Sequence, residues 1–185
     1  MKVHALFVFC CFLIDGVLTV LFPSNFLLNQ TIFIPCLGFS AMVLTIRKFN
    51  FVNACLFACC FGMFYDFFYA RTFMLYMIIF TLVAMIVYFW SKHMMDTMIE
   101  LLVLSISTIF VKELMVYWVM SLQHHTLMTL SEWFVNREFI TLIGNGVLVI
   151  IVVFLGRIKD DYLQLKDSRI RKEERLEWVK LLSKH

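Results

Sequence analysis

Apolar runs of roughly helix-spanning length recur along most of the chain, broken only by short polar groups. A helix crosses the bilayer core with about 20 mostly apolar residues, in a range of about 17–25. Six runs meet or approach that length: 3–22, 31–46, 51–69, 72–90, 98–120 and 138–155. The first ends at Pro23-Ser24-Asn25. The second is short, carries Pro35 near its first turn and ends at Arg47-Lys48. The third and fourth are so close that they predict a tight helical hairpin. The runs are continuously apolar and lack the alternation that a membrane β-barrel needs. The pattern therefore predicts an all-α integral membrane protein. Residues 1–156 form a six-transmembrane-helix bundle and residues 157–185 a charged, helical cytoplasmic tail. The first run has a long core and no small-residue cleavage site, so it reads as a membrane helix rather than a leader.

Composition supports this class. The chain of 185 residues is 62% hydrophobic and only 16% charged, with twenty-one phenylalanines. Soluble domains are nearer half apolar and a quarter charged. Disordered, collagen-like and disulfide-framework chains are excluded on the same ground. The six cysteines fall inside predicted spans with no Cys-x-x-Cys pair and no histidine beside them. They read as small apolar fillers rather than metal ligands.

The distribution of Lys and Arg sets an expected orientation, because cytoplasmic loops are enriched in them. With the N-terminus inside, Lys2, Arg47, Lys48, Lys92 and nine tail residues are cytoplasmic, against only Arg71 and Arg137 outside. Both termini are therefore expected in the cytoplasm. The formal net charge of +3 resolves in the same way. Residues 1–156 carry seven basic and seven acidic groups, whereas the tail carries nine and six. The whole surplus lies on one segment. Arg169, Arg171, Lys172 and Arg175 make it a candidate contact for anionic lipid or a cytoplasmic partner. Nothing in this charge pattern suggests nucleic-acid binding.

Converting position to depth groups the polar residues. At 1.5 Å per residue, Asp15 lies about 18 Å from the inner boundary. Asp66 falls at about 22 Å, Lys112 and Glu113 at about 21–22 Å, and Asn145 at about 20 Å. Gly16, Gly38, Gly62, Gly144 and Gly146 fall at about 16–21 Å on the same scale. Small residues let helices approach closely in lipid, so this depth is expected to be a pinched, buried polar layer. An unpaired charge at a helix centre costs about 2.5–3.5 kcal/mol. Lys112, on one face with Ser105 and Thr108, therefore needs a carboxyl partner, and Asp15 is at the right depth. Glu113 points about 100° away and is the poorer candidate. The layer reads first as packing and pairing; a docked partner helix and a transport or proton path are the alternatives.

The outer segment 121–137 carries His124-His125 and then Thr129-Leu130-Ser131-Glu132, a capping-box pattern, which predicts a short interfacial helix. The adjacent histidines point to different faces and form no metal site. Asp96 and Glu100 sit where a helix dipole favours acids, at the start of the fifth span. The chain has no His-Glu-x-x-His, no Gly-x-Ser-x-Gly, no Gly-x-Gly-Asp and no Walker A run. No enzyme chemistry and no cofactor are expected.

Two short motifs carry a family resemblance. One is Phe12-Leu13-Ile14-Asp15-Gly16-Val17-Leu18 midway in the first span. The other is Gly62-Met63-Phe64-Tyr65-Asp66 late in the third. With six spans and a charged tail, the chain resembles MreD of the bacterial rod-shape machinery, in its Gram-positive form. Relatives usually have a glycine a few residues after the second aspartate, where this chain has Phe68-Tyr69-Ala70-Arg71. The resemblance implies a non-enzymatic scaffold of cell-shape control and peptidoglycan elongation. It implies binding to the single-span protein MreC, with coupling to the cell-wall polymerase and transpeptidase and to the actin-like filament protein. It also implies a fold similar to the substrate-binding subunits of energy-coupling-factor transporters, which makes a vitamin-binding subunit the alternative reading. A vitamin binder needs a concave cavity with convergent polar groups. A scaffold needs an apolar groove that a partner helix can fill.

Overall fold

A computed structural model describes the backbone of residues 2–21, 33–70, 72–123 and 128–182, with side chains from Val3 to Glu173 within them. Every described element is helical, and none of the described residues forms a strand. In chain order the helices are α1 Lys2–Leu21, α2 Leu37–Ile46, α3 Phe51–Tyr65, α4 Leu75–Ser91, α5 Met98–Leu122, α6 Leu130–Trp133 and α7 Phe139–Leu182. Two π-helical turns extend them: Asp66–Ala70 continues α3, and Phe134–Glu138 joins α6 to α7. Three stretches are long and apolar enough to cross a membrane: Val3–Leu21, Phe51–Ala70 and Leu130–Glu173. Leu37–Ile46 and Leu75–Ser91 are shorter apolar helices. These lengths and compositions fit a membrane-embedded protein.

Several elements differ from the hydropathy pattern. Instead of a span over 31–46, α2 has ten residues, all of them buried. Residues 33–36 are non-helical. The cause is Pro35, which has no N–H and biases the residue before it away from the helical region. A ten-residue helix is about 15 Å long, half a hydrocarbon core. Non-helical backbone is tolerated at such depth when it is buried in protein. The fourth run starts late, at Leu75, after Met74 in a left-handed conformation with φ of 60°. The tail, by contrast, is helical as expected and continues the sixth run within α7.

The chain divides into two compact units, Met1–Val153 and Phe154–His185. In the first, α3 packs along α4 and α1 along α2, while α2 also meets α3, α4 and α5. The core is built from Phe12 of α1, Phe39 and Met42 of α2, Phe80 of α4, Leu104 of α5 and Val152 of α7, all essentially inaccessible. Phe12 stacks on Phe61 with ring centroids 5.5 Å apart, and Phe39 meets Phe80 at 5.0 Å. Arg47, just after α2, forms an ion pair with Asp96 in the segment before α5. At the start of α5, Thr97 Oγ1 accepts a hydrogen bond from the Glu100 N–H at 3.4 Å. The capping box is present: the Thr129 N–H donates to Glu132 Oε2 at 2.9 Å and the Glu132 N–H donates to Thr129 Oγ1 at 3.4 Å. The helix it opens, α6, runs directly into the π-helical turn and α7 rather than standing alone.

Candidate functional site

Starting a helix inside an apolar bundle exposes N–H groups that no water can satisfy. At the start of α2 the neighbouring helices supply the acceptors. Asp15, on α1, accepts the Leu37 N–H on Oδ1 at 2.8 Å and the Gly38 N–H on Oδ2 at 2.6 Å. Asn145, on α7, accepts the Cys36 N–H at 2.8 Å. Its amide nitrogen donates to the Ile34 and Thr141 carbonyls at 2.7 and 2.9 Å. The Ile34 N–H donates to Thr141 Oγ1 at 3.4 Å. One carboxyl and one carboxamide, more than a hundred residues apart in sequence, thus tie α1 and α7 to the entry of α2.

The same device recurs at α4. Asp66 Oδ1 accepts from Thr72 Oγ1 at 2.5 Å and from the Tyr76 N–H at 3.1 Å, while Oδ2 accepts the Met77 N–H at 2.9 Å. A glycine accompanies each cap. A Cβ on Gly62 would lie 2.6 Å from Met77 Cα and 2.8 Å from the Tyr76 carbonyl oxygen. A Cβ on Gly38 would lie 2.5 Å from Phe12 Cγ and 2.9 Å from Phe12 Cα. In each case an aspartate can reach a helix start only because a glycine lets the two backbones approach. Gly16 lies beneath Tyr69, whose hydroxyl would be 2.8 Å from an added Cβ and donates to the Phe12 carbonyl at 2.7 Å. Gly144 lies against the Phe33 ring. Gly146 has nothing within 4 Å of an added Cβ, so the expected close packing at that glycine is absent among the described residues.

The Lys112 pairing corrects the sequence expectation. Its ammonium lies 2.7 Å from Glu113 Oε1, not on Asp15. It also donates to Cys36 Sγ at 3.0 Å and sits 5.2 Å from the Phe39 ring centroid. Depth placed Asp15 beside Lys112, but the Asp15 oxygens accept the N–H groups of α2. Glu113 reaches its neighbour because both side chains are long enough to close on each other, and both are 3% exposed. Ser105 and Thr108 are buried on the same helix, with Thr108 Oγ1 donating to the Ser105 carbonyl at 2.9 Å.

Two residues of the π-helical turn before α7 are buried although neither belongs to the predicted polar layer. Arg137, which closes the outer segment, is buried against the protein. Glu138 is fully buried, and neither of its carboxyl oxygens has a hydrogen-bond partner among the described residues. An Arg-Glu pair abutting an apolar run was the available signal. No group of three or more His, Cys, Asp or Glu that could hold a metal occurs among the described residues. His124 and His125 lie outside them. In the second unit Arg169, Arg171 and Lys172 are exposed, and the Arg175 side chain lies outside the described residues.

An open groove of about 1020 Å³ runs between the first half of α4 and the second half of α5. Its walls include Leu75, Ile78, Leu82, Met115, Trp118 and Leu122, and among the described residues its polar lining consists of Thr72 and Gln123. Phe73, Trp118 and Leu122 stand at its edges, 83%, 64% and 76% exposed. Compared with family models, curated proteins and solved structures, the chain matches none.

Proposed function

We propose that this chain is a non-enzymatic, multi-pass scaffold of the bacterial cell-shape and peptidoglycan-elongation machinery, of MreD type. Its direct partner is the single-span protein MreC, and through it the cell-wall synthases and the actin-like filament protein. In this reading the bundle has six membrane-embedded helical segments, α2 being a buried half-span, and both termini lie in the cytoplasm. The observation that supports it is the apolar groove between α4 and α5. Helix association in lipid rests on shape and close packing. A groove about ten residues long, walled by Leu, Ile, Met and Trp, suits an apolar helix. A vitamin-type ligand needs several convergent polar groups, and the described lining has two, Thr72 and Gln123. The motif residues add to the same reading, because Asp15, Gly62 and Asp66 are engaged in holding helix starts together.

Photo-crosslinkers at Ile78 and Trp118, with Val147 on α7 as an off-groove control, test the reading in living cells. Capture of a single-span membrane protein from the two groove positions and not from Val147 is the expected result. Equal capture from all three, or a partner that co-purifies yet never crosslinks in the groove, refutes it. Purification with a bound small molecule would favour the transporter-subunit alternative.

A further inference from the structure

Among the described residues, Glu138 is the buried carboxyl that neither a helix cap nor an ion pair engages. It closes the π-helical turn Phe134–Glu138 and is inaccessible. Neither of its oxygens has a hydrogen-bond partner among the described residues. The charged groups that act on it are Glu113 and Lys112 of α5 and Arg137 of its own turn. Tyr76 of α4 interacts with the same Glu113, Lys112 and Arg137. Lys112 is closed on Glu113 at 2.7 Å and donates to Cys36. Arg137 is the neighbour in sequence, and side chains one residue apart on a helix do not face each other. Two glutamates thus act on one lysine, and Glu113 holds it.

We infer that Glu138 is a proton-binding site, its carboxyl held as the neutral acid inside the bundle. A carboxylate taken out of water without a donor or a cation in contact is far costlier than a neutral polar group, and such a group neutralises instead. The ion pair beside it acts in the same direction. An ionised Glu138 would set a second carboxylate against a single ammonium, and like charges that share a site oppose each other's ionisation. A metal ion fits less well. Hard cations take about six to eight oxygen ligands, and no group of three or more His, Cys, Asp or Glu that could hold a metal occurs among the described residues. The bound proton leaves the Lys112–Glu113 pair undivided, and with it the contact of Lys112 on Cys36 at the entry of α2. The inference does not depend on the partner assigned above.

The test uses the full-length protein in detergent micelles near neutral pH. Infrared spectra are taken with natural glutamate and with glutamate carrying carbon-13 in its side-chain carboxyl. The unsubstituted protein is expected to show the carbonyl stretch of a protonated carboxyl that moves with the glutamate label. The band should persist in Glu113→Gln and vanish in Glu138→Gln. Because Gln matches a neutral acid in shape and charge, Glu138→Gln should keep its melting midpoint within about 4 °C of the unsubstituted protein. Glu113→Gln strands Lys112 and should lose about 6–20 °C. Three results overturn the inference: no label-sensitive protonated band in the unsubstituted protein, loss of a carboxylate band rather than a protonated one in Glu138→Gln, or a Glu138→Gln chain that melts as low as Glu113→Gln or does not fold.

Discussion

Replacing Asp15 isolates the energetic role of the cap at α2. Asp15→Leu keeps the side-chain size and removes both acceptors. The Leu37 and Gly38 N–H groups, now held at 2.8 and 2.6 Å, are then left without a partner in a buried site. Each orphaned buried donor costs about 1–3 kcal/mol, so the pair costs about 2–6 kcal/mol. Asp15→Asn keeps one acceptor oxygen and turns an N–H₂ toward the other donor, so about half of that loss is expected. For a chain of this size 1 kcal/mol moves a melting midpoint by about 2–4 °C. On that scale Asp15→Leu lowers it by about 4–24 °C and Asp15→Asn by a smaller amount. Scanning fluorimetry in detergent micelles reads the midpoint, and amide hydrogen exchange at Leu37 and Gly38 reports the local opening. Membrane insertion should be unchanged, because the first apolar run gains hydrophobicity. Co-purification with a partner should fall. Equal midpoints for Asp, Asn and Leu, with unchanged exchange at both amides, would refute the cap as a source of stability.

Three further outcomes follow from the same geometry. Lys112→Met strands Glu113 in a buried site and should cost about 3–5 kcal/mol, whereas Lys112→Met with Glu113→Gln should recover most of it; thermal unfolding of the two variants checks this, and equal losses would sink the pairing. Gly62→Ala forces a Cβ onto the Met77 and Tyr76 backbone and should destabilise the α3–α4 pair, while Gly146→Ala, with nothing within 4 Å, should be neutral or stabilising by about 0.5–1 kcal/mol. Deleting residues 168–185 should leave the first unit folded and in the membrane, and loss of the protein from the membrane fraction would show the tail to be needed for folding.

How much of this was legible in the sequence depends on the kind of information each feature needs. Helical class and the approximate ends of α1, α3 and α5 follow from hydropathy, which sums over many residues. Helical rise groups Asp15, Asp66, Lys112, Glu113 and Asn145 as candidates for burial, and all five are buried. Depth is one coordinate of three, however. It could not say that Asp15 faces the start of α2 while Lys112 faces Cys36, because that depends on how each helix is rotated. The shortening of α2 was hidden for a different reason. The window over 31–46 is apolar throughout, and hydropathy does not register that Pro35 cannot donate a hydrogen bond. Glu138 lay at a span edge, where a charge is ordinarily solvated, and only the packing of the π-helical turn shows it enclosed.

The two aspartate caps bear on function through what they leave over. A polar group inside an apolar bundle is costly unless it is bonded. Both oxygens of Asp15, both oxygens of Asp66, and the carbonyl and amide of Asn145 are engaged with backbone or with Thr72. Lys112 is held by Glu113 and Cys36. Of the five residues that the depth arithmetic grouped, none points into the α4–α5 groove, whose lining is almost wholly apolar. These buried polar groups thus fasten a short buried helix and a hairpin, while the groove offers shape and apolar surface. Recognition at such a surface discriminates between helices by fit. Enlarging the groove's wall residues, as in Ile78→Trp, should therefore disrupt partner binding without disturbing either cap, a separation that co-purification and amide exchange at Leu37 and Met77 can measure side by side.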